Sequence, residues 1–121
     1  MVAIKSYKDL IVWQKSMSLV CEIYKITETF PQTEKYGLIS QMRRCAVSIP
    51  TNIAEGRRRL SKKEFRRFII IAYGSGAELE TEIEIAKRLN LIPFSQDETI
   101  DTLLLEVMKM LNSIIKTLKN S

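Results

Sequence analysis

Apolar residues recur at three- and four-residue steps along almost the whole chain, and no stretch alternates as a strand would. That period commits the polypeptide to helices. In the first segment Leu10, Trp13, Met17, Val20 and Tyr24 form the expected buried stripe, with Val12, Leu19, Ile23, Ile26 and Phe30 as a second stripe beside it. Ser6 with Asp9 suits an N-terminal cap, and Phe30-Pro31 ends the helix, because a residue before proline avoids helical dihedrals. A second helix from about Thr33 to Ala54 gathers Leu38, Ile39, Met42, Cys45, Ala46, Ile49 and Ile53 on one face. Pro50 deletes one amide donor inside it and crowds the preceding turn. The period resumes at Ile53, which predicts a kink near Ala46–Pro50 and not a stop. Asn52 and Glu55 are placed to satisfy backbone groups freed there, and Gly56 reads as a left-handed cap.

The third helix opens at Ser61-Lys62-Lys63-Glu64, the pattern of a capping box. Phe65, Phe68 or Ile69, Ala72, Gly76, Leu79, Ile83 and Ala86 mark its core line, and Asn90 is its stop. A second capping box, Ser95-Gln96-Asp97-Glu98, starts the fourth, whose stripe runs through Ile100, Leu103, Leu104, Val107, Leu111, Ile114, Ile115 and Leu118. Four helices of roughly 22–28 residues, on the order of 35–40 Å each, are joined by short links. Short links make neighbours antiparallel. The expected fold is all-α: one domain over residues 1–121, an antiparallel up-down-up-down four-helix bundle.

Such a bundle asks each helix for one apolar stripe, and several helices offer more. Helix one has two stripes, helix three adds Ile70, Ile71 and Tyr73, and helix four adds Leu105, Met108 and Met110. Surplus apolar surface of this kind marks interfaces, so a homo-oligomer is expected. The small residues Tyr73-Gly74-Ser75-Gly76-Ala77 inside helix three predict a close helix crossing, since each glycine costs roughly 1 kcal/mol there.

Catalysis has little to work with. The chain has no histidine, which removes the commonest general base and the usual triads, zinc and di-iron ligand sets. Cys21 and Cys45 both fall in apolar helical patterns and read as buried small hydrophobes in preference to a metal or redox role. Glu78, Glu80, Glu82 and Glu84 alternate along helix three, so pairs four apart share a face; they read as an ordinary acidic surface, or as ion pairs across an oligomer interface, since a metal or acid/base role would need partners from other helices. No catalytic residue, metal ligand or cofactor is assigned, and the chain is not expected to be an enzyme. The N-terminal Met1–Lys8 lacks a signal-peptide pattern, and the longest apolar stretch, Phe68–Tyr73, is far short of the roughly 20 residues a bilayer needs. A reduced, cytoplasmic setting without membrane contact follows.

Charge carries the functional signal. Nine of the nineteen basic residues fall within Arg43–Arg67, opposed there only by Glu55 and Glu64. That segment carries +7, while the remainder, with ten basic and twelve acidic residues, carries −2. The block comprises Arg43, Arg44, Arg57, Arg58, Arg59, Lys62, Lys63, Arg66 and Arg67. Lys62, Lys63, Arg66 and Arg67 sit in the first two turns of helix three, where the macrodipole favours acids. An anion bound there would offset that cost, and helix N-termini also offer amide donors to phosphate. Arginine predominates in the block, and its planar fork suits phosphate. The residues from Arg57 to Arg67 could converge on one end of the bundle. The alternative is an ordinary solvated charged face. Interleaved aromatics are few, which favours backbone contact with RNA or DNA over base stacking.

These residues also carry a family resemblance. Asp9-Leu10-Ile11-Val12-Trp13-Gln14-Lys15, Phe30-Pro31 with Tyr36-Gly37-Leu38, and the run from Gln41 through Arg43-Arg44 and Ile49-Pro50-Thr51-Asn52-Ile53-Ala54-Glu55-Gly56 resemble the four-helix-bundle proteins encoded in intervening sequences of bacterial large-subunit (23S) ribosomal RNA. Phe65 through Glu82 continues the match. The resemblance implies a small antiparallel bundle assembling into a homo-oligomeric ring, a pentamer favoured. It also implies kinship to the accessory variability determinant of diversity-generating retroelements, a basic barrel that binds nucleic acid and a reverse transcriptase. On that basis Arg43, Arg44 and Arg57–Arg59 take the binding role, and Pro50–Gly56 is a shape element. The competing reading is a scaffold that docks an acidic protein partner and never touches nucleic acid.

Overall fold

The computed structural model describes residues 6–34, 37–92 and 94–119, with the side chains of 94–97 left aside. Its four helices are α1 (Ile11–Thr27), α2 (Leu38–Arg57), α3 (Lys62–Arg88) and α4 (Phe94–Thr117), and the described residues contain no strand. Each helix packs on two others: α1 on α2 and α4, and α3 on α2 and α4. The core therefore lies along the axis between them, filled by Leu19, Ile23, Met42, Ile49, Ile53, Ile69, Leu79, Ile100, Val107 and Leu111.

Helix α1 is shorter than its periodicity predicts. Ser6 and Asp9 do form a capping box, but it closes a separate 3-10 turn over Tyr7–Asp9, and Leu10 is extended before α1 begins. At the other end Thr27 and Thr29 hydroxyls donate to carbonyls of α1, and Phe30 folds back into the core beyond the helix. The two stripes also exchange roles. Val12, Leu19, Ile23, Ile26 and Phe30 are buried, whereas Met17 and Tyr24 are exposed and Leu10, Trp13 and Val20 are only half-buried. Cys21 lies on the outer side and is exposed, against expectation; Cys45 is buried as expected.

Helix α2 runs unbroken through Pro50. Asn52 donates to the Ser48 carbonyl and hydroxyl, and Glu55 pairs with Arg59, so neither serves the Ala46 carbonyl that Pro50 leaves without its amide. Gly56 is no left-handed cap: no described glycine has positive φ, and Gly56 is buried within α2. A Cβ there would stand 2.6 Å from the Phe68 Cβ, so glycine at this position lets the start of α3 close on the end of α2. Gly76 meets Met108 of α4 in the same way, and the Ser48 and Ser75 hydroxyls bond at 2.8 Å, while Gly74 faces open space. The close crossing predicted for this segment thus belongs to Ser75 and Gly76.

Ser61 caps α3 by accepting from the Glu64 amide, but Glu64 turns to Arg67 and leaves the box unreciprocated. Asn90, at φ 58°, ends the helix as its stop, with the Asn90 and Leu91 amides bonded to the Lys87 and Ala86 carbonyls. Helix α4 begins at Phe94, ahead of Ser95, so Ser95 lies inside the helix and is not its N-cap; the side chains of 95–97 lie outside the described residues. Among the described residues no helix is long and apolar enough to cross a membrane.

Candidate nucleic-acid interface

The turn from α2 to α3 is only four residues long, 58–61, so cations on both sides of it are held together. Arg57, Arg58, Arg59, Lys62, Lys63 and Arg67 are exposed, and Arg66 is half-buried. Lys62 to Arg67 spans five residues of helix, a rise of about 7.5 Å. These seven side chains therefore share one corner of the bundle.

Aromatic rings fix part of the array. The Arg59 and Arg67 guanidiniums lie 4.8 and 4.7 Å from the centre of the same Phe68 ring, and Arg58 lies 5.6 Å from that of Tyr7. A ring face attracts a cation without neutralising it, so these contacts position the arginines and leave their charge available. Arg66 donates through Nε to the Ile115 carbonyl at 3.0 Å, which brings the end of α4 to the same corner. Hollows flank it on both sides. One, of about 530 Å³, lies between Lys63, Arg66, Arg67, Ile70, Leu118 and Lys119; the other, of about 300 Å³, between Ser6, Tyr7, Arg57 and Arg58.

Two carboxylates oppose the array. Glu55 pairs with Arg59 at 3.3 Å and Glu64 with Arg67 at 3.2 Å, all on exposed side chains. The Arg67 hydrogen bond holds the Glu64 carboxyl below its ordinary value, helped by the charges of Arg67, Arg59 and Lys63. Exposed pairs of this kind contribute little to stability, so a phosphate can displace them. Arg57, Lys62 and Lys63 make no hydrogen bond or ion pair among the described residues.

Arg43 and Arg44 do not join the corner. They precede Arg57 by about 20 Å of helix rise and sit near the opposite end of α2. Arg43 is committed to α1: it donates to Thr27 Oγ1 at 2.9 Å, to the Tyr24 carbonyl at 3.3 Å and to Glu28 at 3.1 Å, and lies over the Tyr24 ring. Arg44 is exposed.

A second cluster of polar side chains escapes sequence reading. Cys45 of α2 meets Glu78 and Glu82 of α3. Of the alternating glutamates, Glu82 is buried, while Glu78, Glu80 and Glu84 are exposed. The signal was its register: Glu82 stands three after Leu79 and four before Ala86, on the core line of α3.

A family profile described as 23S rRNA-intervening sequence protein matches residues 8–113. The chain belongs to that family. A solved structure described as a protein with unknown function from the S23 ribosomal protein family of Bacteroides thetaiotaomicron aligns with a TM-score of 0.78 at 29% identity. The alignment covers 88% of this chain and 99% of that one. No curated protein matches. Membership accounts for the four-helix architecture and names no ligand.

Proposed function

We propose that this member of the 23S rRNA-intervening sequence family is a non-enzymatic, homo-oligomeric helical scaffold that binds the backbone of RNA or DNA through the α2–α3 corner. The observation that carries the reading is the gathering of seven cations, from Arg57 to Arg67, at one corner against Glu55 and Glu64 alone. Arg43 is a strut between helices in this reading, and Arg44 a peripheral charge at most. Contacts that run in opposite order along neighbouring helices support the antiparallel up-down-up-down order: Arg58 with Tyr7 and Arg43 with Glu28, Gly56 with Phe68 and Cys45 with Glu82, and Arg66 with Ile115 and Lys87 with Asp101. Apolar side chains left exposed, among them Ile11, Ile70, Ile71 and Leu105, support self-association. A pentameric ring would repeat the basic corner around its axis. Kinship to the retroelement accessory protein, with a reverse transcriptase as partner, remains an implication of the resemblance.

Fluorescence anisotropy with labelled RNA and DNA across a salt series tests the reading, with oligomer mass recorded on the same sample. If five to seven cations each neutralise one phosphate, log affinity falls against log salt with a slope of roughly −4 to −6. Reversing Arg57–Arg59 and Lys62–Lys63 to glutamate abolishes binding. Affinity that ignores salt, or survives the reversal, refutes the proposal. A second reading, a scaffold for a protein partner, is favoured by the largely apolar groove of about 660 Å³ between α1 and α2, where Trp13, Met17, Val20 and Val47 line the wall together with Glu55 and Arg58 of the basic corner. Recovery of a stable protein complex that nuclease treatment leaves intact would select it.

A further inference from the structure

The middle of the α2–α3 contact holds a cluster unrelated to the basic corner. Cys45 Sγ lies 3.5 Å from Glu78 Oε2 and 3.7 Å from Glu82 Oε2, and the three donor atoms fall within 4.8 Å of one another. Glu78 and Glu82 are one helical turn apart, so both carboxylates reach the same thiol. The cluster is more than a group of surface acids. Glu82 is only 8% exposed, and its Oε1 is buried with no hydrogen-bond partner. No lysine or arginine among the described residues ion-pairs with either carboxylate. A buried carboxylate is costly unless paired, protonated or bound to a metal. One S–H hydrogen cannot satisfy two carboxylates, and it leaves the Glu82 Oε1 unserved.

We propose that Cys45, Glu78 and Glu82 form a three-ligand site for a zinc-class divalent cation. The donor set selects the class: a thiolate favours zinc or its cobalt analogue over magnesium and calcium, which take oxygen ligands. Tetrahedral zinc, with bonds of about 2.3 Å to sulfur and 2.0–2.2 Å to oxygen, sets its sulfur and oxygen ligands about 3.6 Å apart. The two Cys45–carboxylate distances bracket that spacing. Glu78 is exposed and supplies the side from which a cation enters, leaving a fourth position for water. Binding displaces the Cys45 proton to solvent as the thiol becomes thiolate. The cation therefore competes with a proton, and its affinity rises with pH.

The test is cobalt titration of the full chain carrying Cys21→Ser, purified free of metal, with zinc displacement and thermal melting on the same preparation. Cys45 is then the sole thiol, since the chain has two cysteines. The expected result is one cobalt per chain with a thiolate-to-cobalt charge-transfer band in the near ultraviolet, bleached by zinc. Zinc raises the melting temperature of this chain, and Cys45→Ala removes both band and shift. Glu82→Gln weakens cobalt by at least the roughly 10–100-fold seen when an outer-shell partner is lost. Absence of the band in the Cys21→Ser chain, or cobalt bound by Cys21→Ser/Cys45→Ala with undiminished affinity, overturns the site. A thiol shared between two carboxylates, with Glu82 protonated, gives the first of these results.

Discussion

Two glycines should respond to the same substitution with opposite sign. Gly56→Ala places a Cβ 2.6 Å from the Phe68 Cβ, 3.2 Å from Phe65 Cδ1 and 3.3 Å from the Phe65 carbonyl oxygen. The first and last of these atoms move only with the α3 backbone, so relief means shifting the first turns of that helix. Overpacking of this kind costs about 1–3 kcal/mol. The helix propensity gained is at most about 1 kcal/mol and smaller here, one residue from the end of α2. A net loss of roughly 1–2 kcal/mol follows. Gly74→Ala meets nothing within 4 Å and gains about 0.8–1 kcal/mol from propensity alone. The variants should therefore differ by about 2–3 kcal/mol, or on the order of 10 °C in Tm for a chain of this size. Gly76→Ala falls between them, because its obstacle is the flexible end of Met108. Thermal and urea melts of the three variants measure the differences. A Gly56→Ala protein that melts at or above the unaltered chain refutes the close approach of α3 to α2.

Two further outcomes follow from particular side chains. Arg43→Ala loses hydrogen bonds to Thr27, Tyr24 and Glu28 and should cost about 1–2 kcal/mol while leaving RNA affinity unchanged; a variant that keeps its stability and loses RNA would return Arg43 to the interface. Burial pushes the Glu82 carboxyl above its ordinary value of 4.5; the Cys45 hydrogen bond opposes this in part, and the Glu78 charge adds to the rise. Stability that depends on Glu82 is thus full below the unfolded value and lost as pH rises through the raised folded one. Metal-free chain should weaken from acid towards neutral pH relative to Glu82→Gln, and urea midpoints that track each other across that range would contradict this.

What the sequence discloses depends on how far apart the interacting residues lie along it. The basic corner was legible because its members are nearly contiguous: a four-residue turn cannot carry Arg57 far from Lys63 whatever the helices do. The four helices were legible for the same reason, each being a local repeat with local stops such as Asn90. Helix α1 shows where this ends. Its two stripes satisfy the period equally well, and only the placement of α2 and α4 decides that Leu19 and Ile23 go inside while Met17 and Tyr24 stay out. Gly56 was misread because glycine near a helix end usually answers a dihedral need; here it answers a spatial one, set by Phe68 twelve residues on.

The same distinction separates two residues of one charge block. Arg43 and Arg57 are alike in sequence terms, yet Arg43 finds Thr27, Tyr24 and Glu28 across the α1–α2 contact and is half-buried there. A charge count weights it equally with Arg57, although its guanidinium is already occupied. Glu82 is the converse case. It looks like one of four alternating surface acids, but its register turns it into the core, where Cys45 waits 37 residues earlier in the chain. A buried carboxylate with one oxygen unserved opposes folding, and α3 closes over it even so. That cost is removed by a proton, at the expense of a pH-dependent stability, or by a cation, with a gain in cross-linking between α2 and α3. The two remedies differ in what Cys45 does: with the proton it stays a thiol, and with the cation it gives its proton up.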